Sequence, residues 1–169
     1  FWPKTGEVQH LNSQESMLQL QNISSVLVDQ SGYIWIGADN GKEQSLIKFN
    51  ADLSTSQVWH QNSALDAGLL GPIKQIIQTQ QGMIWVVYYG GGIQARDPLS
   101  GQVLQSVTPA SGQGLKYPDP EQLFIGPDKA LWLAGGEGLL RWSSQKNVFE
   151  AVLGAPQERV YSAHVAAND

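Results

Sequence analysis

Short apolar runs alternate along this chain with clusters of Gly, Asp, Ser, Asn and Gln, and that punctuation predicts short strands joined by turns. In the first stretch Ile23 to Val28 reads as a β-branched strand, Asp29-Gln30-Ser31-Gly32 as a turn and Tyr33 to Gly37 as a second strand. Asp39-Asn40-Gly41 is the next turn, and Leu46 to Phe49 and Gln57 to Trp59 follow as third and fourth strands. The same order returns over Ile73 to Thr79, Met83 to Tyr88, Ile93 to Arg96 and Gln102 to Val107. It returns again over Gln122 to Ile125, Ala130 to Ala134, Leu139 to Trp142 and Asn147 to Val152.

The core of the second strand makes the periodicity plain. Ile34-Trp35-Ile36 recurs as Ile84-Trp85-Val86 and as Leu131-Trp132-Leu133, a spacing of about 50 residues of the kind that marks stacked repeats. Four antiparallel strands per repeat make one propeller blade. The fold class expected is all-β, a β-propeller fragment with three complete four-stranded blades and partial blades at both ends. Its blades fall at residues 21–62, 63–110 and 111–155, with 1–20 the end of a preceding blade and 156–169 the first strand of a following one. A chain that starts at Phe1 is expected to be an excised piece of a longer polypeptide. An open arc exposes blade faces and sheet edges, so self-association through its open ends is expected.

The second strands carry apolar residues consecutively, which in antiparallel structure calls for cover on both faces. Blades stacked around an axis supply that cover, and Trp35, Trp85 and Trp132 are expected to pack between neighbouring blades. The connections 62–72 and 108–120 are longer and rich in Gly, Ser and Pro, with one helical turn expected near Ala64-Leu65-Asp66.

Composition narrows the function classes. With 41% apolar residues the chain can build a core, while a net charge of −5 offers no cationic stripe for a phosphate backbone, so nucleic acid is not an expected partner. There is no cysteine, which removes disulfides and thiolate metal sites from consideration. No apolar run is long enough to span a bilayer, so no direct membrane insertion is expected of these residues.

The series Ile23, Val26, Asp29, Gly32, Ile34-Trp35-Ile36-Gly37, then Gly41 and Leu46-Ile47-Lys48-Phe49-Asn50, resembles the two-component regulator propeller repeat. The second repeat departs from it with Thr79 and Val87 where Asp and Gly are expected, and the third with Gly126, Lys129 and Ala134. The resemblance implies the extracytoplasmic, periplasmic half of a membrane-anchored signalling protein whose output is a histidine kinase or a diguanylate cyclase.

No chemistry for catalysis is apparent. His10, His60 and His164 occupy unrelated repeat positions, no serine lies in a nucleophile elbow, and no helix pattern follows Gly90-Gly91-Gly92 to make it a phosphate cradle. No metal, cofactor or catalytic residue is therefore expected, and the segment reads as a noncatalytic sensor. The alternatives are a protein interaction scaffold, or part of a propeller hydrolase or lyase with its active site on other blades. The turns between second and third strands and the long inter-blade loops are expected on one rim, bringing together Asp39, Lys42, Glu43, Tyr88, Tyr89, Tyr117 and Glu137. Tyrosines with a few charges suit a small polar ligand such as a carbohydrate, or a protein segment.

Overall fold

The computed structural model describes residues 20–61 and 68–163. Twelve strands form three separate four-stranded antiparallel sheets, each built from consecutive strands in sequence order. Blade 1 contains β1 (Asn22–Val28), β2 (Ile34–Asp39), β3 (Gln44–Phe49) and β4 (Ser56–His60). Blade 2 contains β5 (Ile73–Gln78), β6 (Ile84–Tyr88), β7 (Gly92–Arg96) and β8 (Val103–Val107). Blade 3 contains β9 (Gln122–Ile125), β10 (Leu131–Gly135), β11 (Gly138–Ser143) and β12 (Val148–Ala151). Up-and-down order within each sheet follows from turns too short to cross over. Among the described residues one 3₁₀ turn, Pro109–Ser111, interrupts the connection between blades 2 and 3. The helical turn expected near residue 64 and the N-terminal partial blade lie outside the described residues, apart from Leu20; residues 156–163 carry no strand.

Two apolar clusters sit between the blades. In the first, Trp35, Leu46 and Trp59 of blade 1 pack against Ile73, Ile76, Ile84, Val86 and Tyr88 of blade 2. In the second, Trp85, Val87, Ile93 and Ala95 of blade 2 meet Leu123, Leu131, Leu133, Leu140 and Phe149 of blade 3. Alternation along each strand sends the residue after the tryptophan to the opposite face, and Ile36 and Ile47 accordingly join a third cluster on the far side of blade 1. Trp35 is 0% exposed and stacks on Trp59 with ring centroids 5.8 Å apart. Burying each such side chain contributes roughly 1.5–3 kcal/mol.

Gly101 shows how tightly the first interface closes. Its φ of 72° suits glycine, and a Cβ there would stand 2.0 Å from the Trp59 ring. The turn between β7 and β8 thus rests its backbone on an indole of the preceding blade.

The innermost strands β1, β5 and β9 are stitched by side chains rather than by a ladder. Ser24 and Lys74 are the extra residues of equivalent bulges in β1 and β5. The next residues point to the neighbouring blade: Ser25 Oγ accepts from Ile76 N–H at 2.9 Å. Gln75 accepts from Leu123 N–H at 2.8 Å and donates to Leu123 C=O at 2.9 Å. A bulge re-aims side chains and so lets one strand reach the next sheet without joining it.

Candidate functional site: a tyrosine-bearing rim

Antiparallel pairing puts the end of each second strand beside the start of each first strand. The hairpins after β2, β6 and β10 therefore share one rim with the loops that enter β1, β5 and β9. All seven residues named from the sequence lie at or next to this rim, in three different situations.

Asp39, Lys42 and Glu43 form the blade 1 hairpin. Asp39 Oδ1 accepts from Gly41 N–H at 2.9 Å and from Asn22 Nδ2 at 3.2 Å, which shapes the turn. Lys42 is exposed, and Glu43 Oε1 lies 3.4 Å from His60 Nδ1. Among the described residues no hydrogen bond or ion pair joins this group to the tyrosines.

Tyr88 and Glu137 correct the expectation of a rim role. Tyr88 ends a strand buried on both faces, is 0% exposed, and donates to Gln94 Oε1 at 2.6 Å. Burial pushes its hydroxyl up to about 12, against a smaller opposing effect of Arg96. Gln94 Oε1 also accepts from Arg96 Nη2 at 2.9 Å, so Tyr88 belongs to a buried polar network. Glu137 is buried because Oε1 receives Lys116 N–H at 2.5 Å and Tyr117 N–H at 2.8 Å. Its Oε1 pins the inter-blade loop.

Tyr89 and Tyr117 remain, 53% and 50% exposed. Tyr117 is held over Gly136, where an added Cβ would stand 2.7 Å from its ring, and Pro118 C=O accepts from Gly92 N–H at 2.9 Å. The loop carrying Tyr117 is thereby clamped to the hairpins of both blade 2 and blade 3. Tyr89 lies 5.1 Å under the Lys74 ammonium, within cation–π range.

An ion-pair network that no local sequence pattern announces lies beside Tyr89. Lys74 Nζ donates to Glu121 Oε2 at 2.7 Å and to Pro120 C=O at 3.1 Å, while Arg159 Nη1 donates to Glu121 Oε1 at 2.6 Å. The Lys74 hydrogen bond holds the Glu121 carboxyl below its usual range, with burial opposing and Arg159 assisting. Arg159 in turn lies 5.9 Å from the ring of Tyr161, which is 72% exposed. The one available signal was a lysine inside the apolar run of β5 at a position where its partner could only come from another blade.

Among the described residues no group of His, Asp and Glu could hold a metal ion, and no helix is long and apolar enough to cross a membrane.

The fold is shared with several solved propellers. The extracellular domain of a hybrid two component system protein of B. thetaiotaomicron superposes with a TM-score of 0.58 at 23% identity, over 85% of this chain and 18% of that one. A virginiamycin B lyase from Staphylococcus aureus crystallised with quinupristin gives 0.53 at 14% identity, over 83% of this chain and 42% of the other. YCF48 bound to D1 peptide gives 0.53 at 16% identity, over 82% and 40%. This chain thus spans less than half the length of each. No curated protein matches it. Residues 17–40 match the family described as two component regulator propeller, and the chain as a whole is an array of β-propeller blades.

Proposed function

We propose that this chain is a noncatalytic ligand-binding segment of a periplasmic sensor propeller, the extracytoplasmic part of a membrane-anchored signalling protein. One observation carries the reading: the half-exposed Tyr89 lies under Lys74 of an ion-pair network that ties blade 2, blade 3 and the segment after blade 3 together, and the half-exposed Tyr117 stands on the loop that leads into Glu121 of that network. Aromatic faces beside fixed hydrogen-bonding groups suit a small polar ligand such as a carbohydrate. Three of the rim carboxylates are engaged in structure: Asp39 in its hairpin, Glu137 with a loop, Glu121 with two cations. That supports equilibrium binding over acid–base chemistry.

A ligand bridging Tyr89 and Tyr117 would favour one arrangement of the clamped loop over others, and such differential binding is the means by which a sensor shifts a two-state equilibrium. The outward face of blade 3, where the half-buried Trp132 lies 6.1 Å from Phe124, is the surface a further blade or a second copy would cover. Titration calorimetry with a panel of neutral oligosaccharides tests the reading. Saturable heat with at least one sugar, lost in the double variant Tyr89→Ala, Tyr117→Ala at unchanged melting temperature, is the expected result. No heat from any sugar, or undiminished heat in the double variant, would overturn it.

A further inference from the structure

The three repeats treat one cluster of hydrogen-bond donors differently. In blade 1 the Asp29 carboxylate receives Ser31 N–H at 2.9 Å, Tyr33 N–H at 3.0 Å and the Trp35 indole at 2.8 Å. Blade 3 also supplies a carboxylate, from a position two residues later: Asp128 receives Ala130 N–H at 3.2 Å and the Trp132 indole at 2.9 Å, and pairs with Arg141. Blade 2 keeps the turn but not the acid. Thr79 N–H bonds to Met83 C=O and Gly82 N–H to Thr79 C=O, as Asp29 and Gly32 do in blade 1, and Gly82 has a φ of 87° against 86° for Gly32.

The donors equivalent to the blade 1 trio are therefore Gln81 N–H, Met83 N–H and Trp85 Nε1–H, and none of them has an acceptor among the described residues. The Thr79 hydroxyl instead faces Met83 C=O at 3.5 Å. Thr79, Gln81, Met83 and Trp85 line a cleft of about 560 Å³ between blades 2 and 3, a volume in the range of small-molecule sites. A second substitution opens the space. Lys48, cross-strand from Trp35, spans the first interface to Pro98 and Leu99 C=O at 2.7 Å, whereas Trp85 faces Ala95.

We infer that this cleft binds a small organic acid, its carboxylate taking the three donors as Asp29 does in blade 1. The opposite wall offers the half-buried Trp142 ring, 5.1 Å from Trp85, and the side chains of Ser143, Ser144 and Gln145 for the body of the ligand. The charges lining the cleft are Lys129 and the paired Asp128 and Arg141. This site is on the rim opposite the tyrosines and stands independently of the proposed sensing role.

The test is an amide and indole NMR titration of the ¹⁵N-labelled protein with sodium glucuronate and sodium benzoate, using glucuronamide and benzamide as uncharged controls. The Gln81, Met83 and Trp85 indole signals are expected to move downfield and saturate with at least one acid and to ignore the amides. A response to glucuronate alone assigns a sugar acid, and to benzoate alone an aromatic acid. Thr79→Asp supplies the carboxylate from within, so it should shift the same three signals without ligand, raise Tm by about 2–4 °C, and abolish the response to acid. Silence of all three signals up to about 50 mM of both acids, or an equal response in Thr79→Asp, would overturn the inference.

Discussion

The Trp35 indole donates to the Asp29 carboxylate at 2.8 Å inside blade 1, where both residues are buried. The same carboxylate closes its own turn, so one side chain fixes the strand reversal and the orientation of the ring that fills the blade interface. Asp29→Ala leaves three donors without their acceptor. Denaturant unfolding should show a loss of about 2–4 kcal/mol, more than a neutral hydrogen bond contributes, because the acceptor is charged and the Trp35 indole stays buried. Asp29→Asn, which keeps an acceptor oxygen, should lose less.

Tyr88 makes stability fall in alkali. Its folded hydroxyl titrates at about 12 because burial penalises the phenolate, whereas in the unfolded chain it ionises near pH 10. The raised value means that this contribution is whole below about pH 10 and is lost as pH rises towards 12. Urea unfolding at pH 9 and pH 11 should show the drop, and Tyr88→Phe should lessen it.

Glu121 acts at the other end of the scale. Its carboxyl is held low by Lys74 first and by Arg159 as well, against the opposing effect of burial. A depressed folded value means stability is present above the unfolded pKa of about 4.3 and is lost as pH falls through the lower folded value. Glu121→Gln should flatten the acid limb of the stability profile and raise susceptibility of the 156–163 segment to proteolysis, since Arg159 loses its anchor.

Not all repeat tryptophans should weigh alike. Trp35 and Trp85 are 0% and 3% exposed between blades, while Trp132 is half-buried on the outward face of blade 3. Trp132→Ala should therefore cost clearly less than the roughly 3–5 kcal/mol expected for truncating a fully packed indole. Chemical denaturation of the three single variants ranks them.

The strand order was legible because the turn residues and the repeated Ile-Trp-Ile pattern are local signals. Each of the twelve strands predicted for the three blades is present within two residues of its expected ends, from Asn22–Val28 to Val148–Ala151, whereas 156–163 lack the strand expected to open a following blade. The rim was legible only in outline. Tyr88 and Tyr89 look alike in sequence, yet the unbroken burial of β6 runs one residue further than the polar hydroxyl suggests, and Gln94 supplies the partner that lets Tyr88 stay inside. Glu137 reads as an exposed turn acid until the loop 20 residues earlier folds back and offers its amides. The Lys74–Glu121–Arg159 network depends on three segments meeting near the axis, and no local pattern encodes that meeting.

Buried indoles hold the blades together while the exposed tyrosines add little to stability, and the urea unfolding free energies of Trp85→Ala and Tyr89→Ala test this most directly. The account predicts a loss of about 3–5 kcal/mol for Trp85→Ala and a change within about 0.5 kcal/mol for Tyr89→Ala. A Trp85→Ala protein as stable as the parent would contradict it.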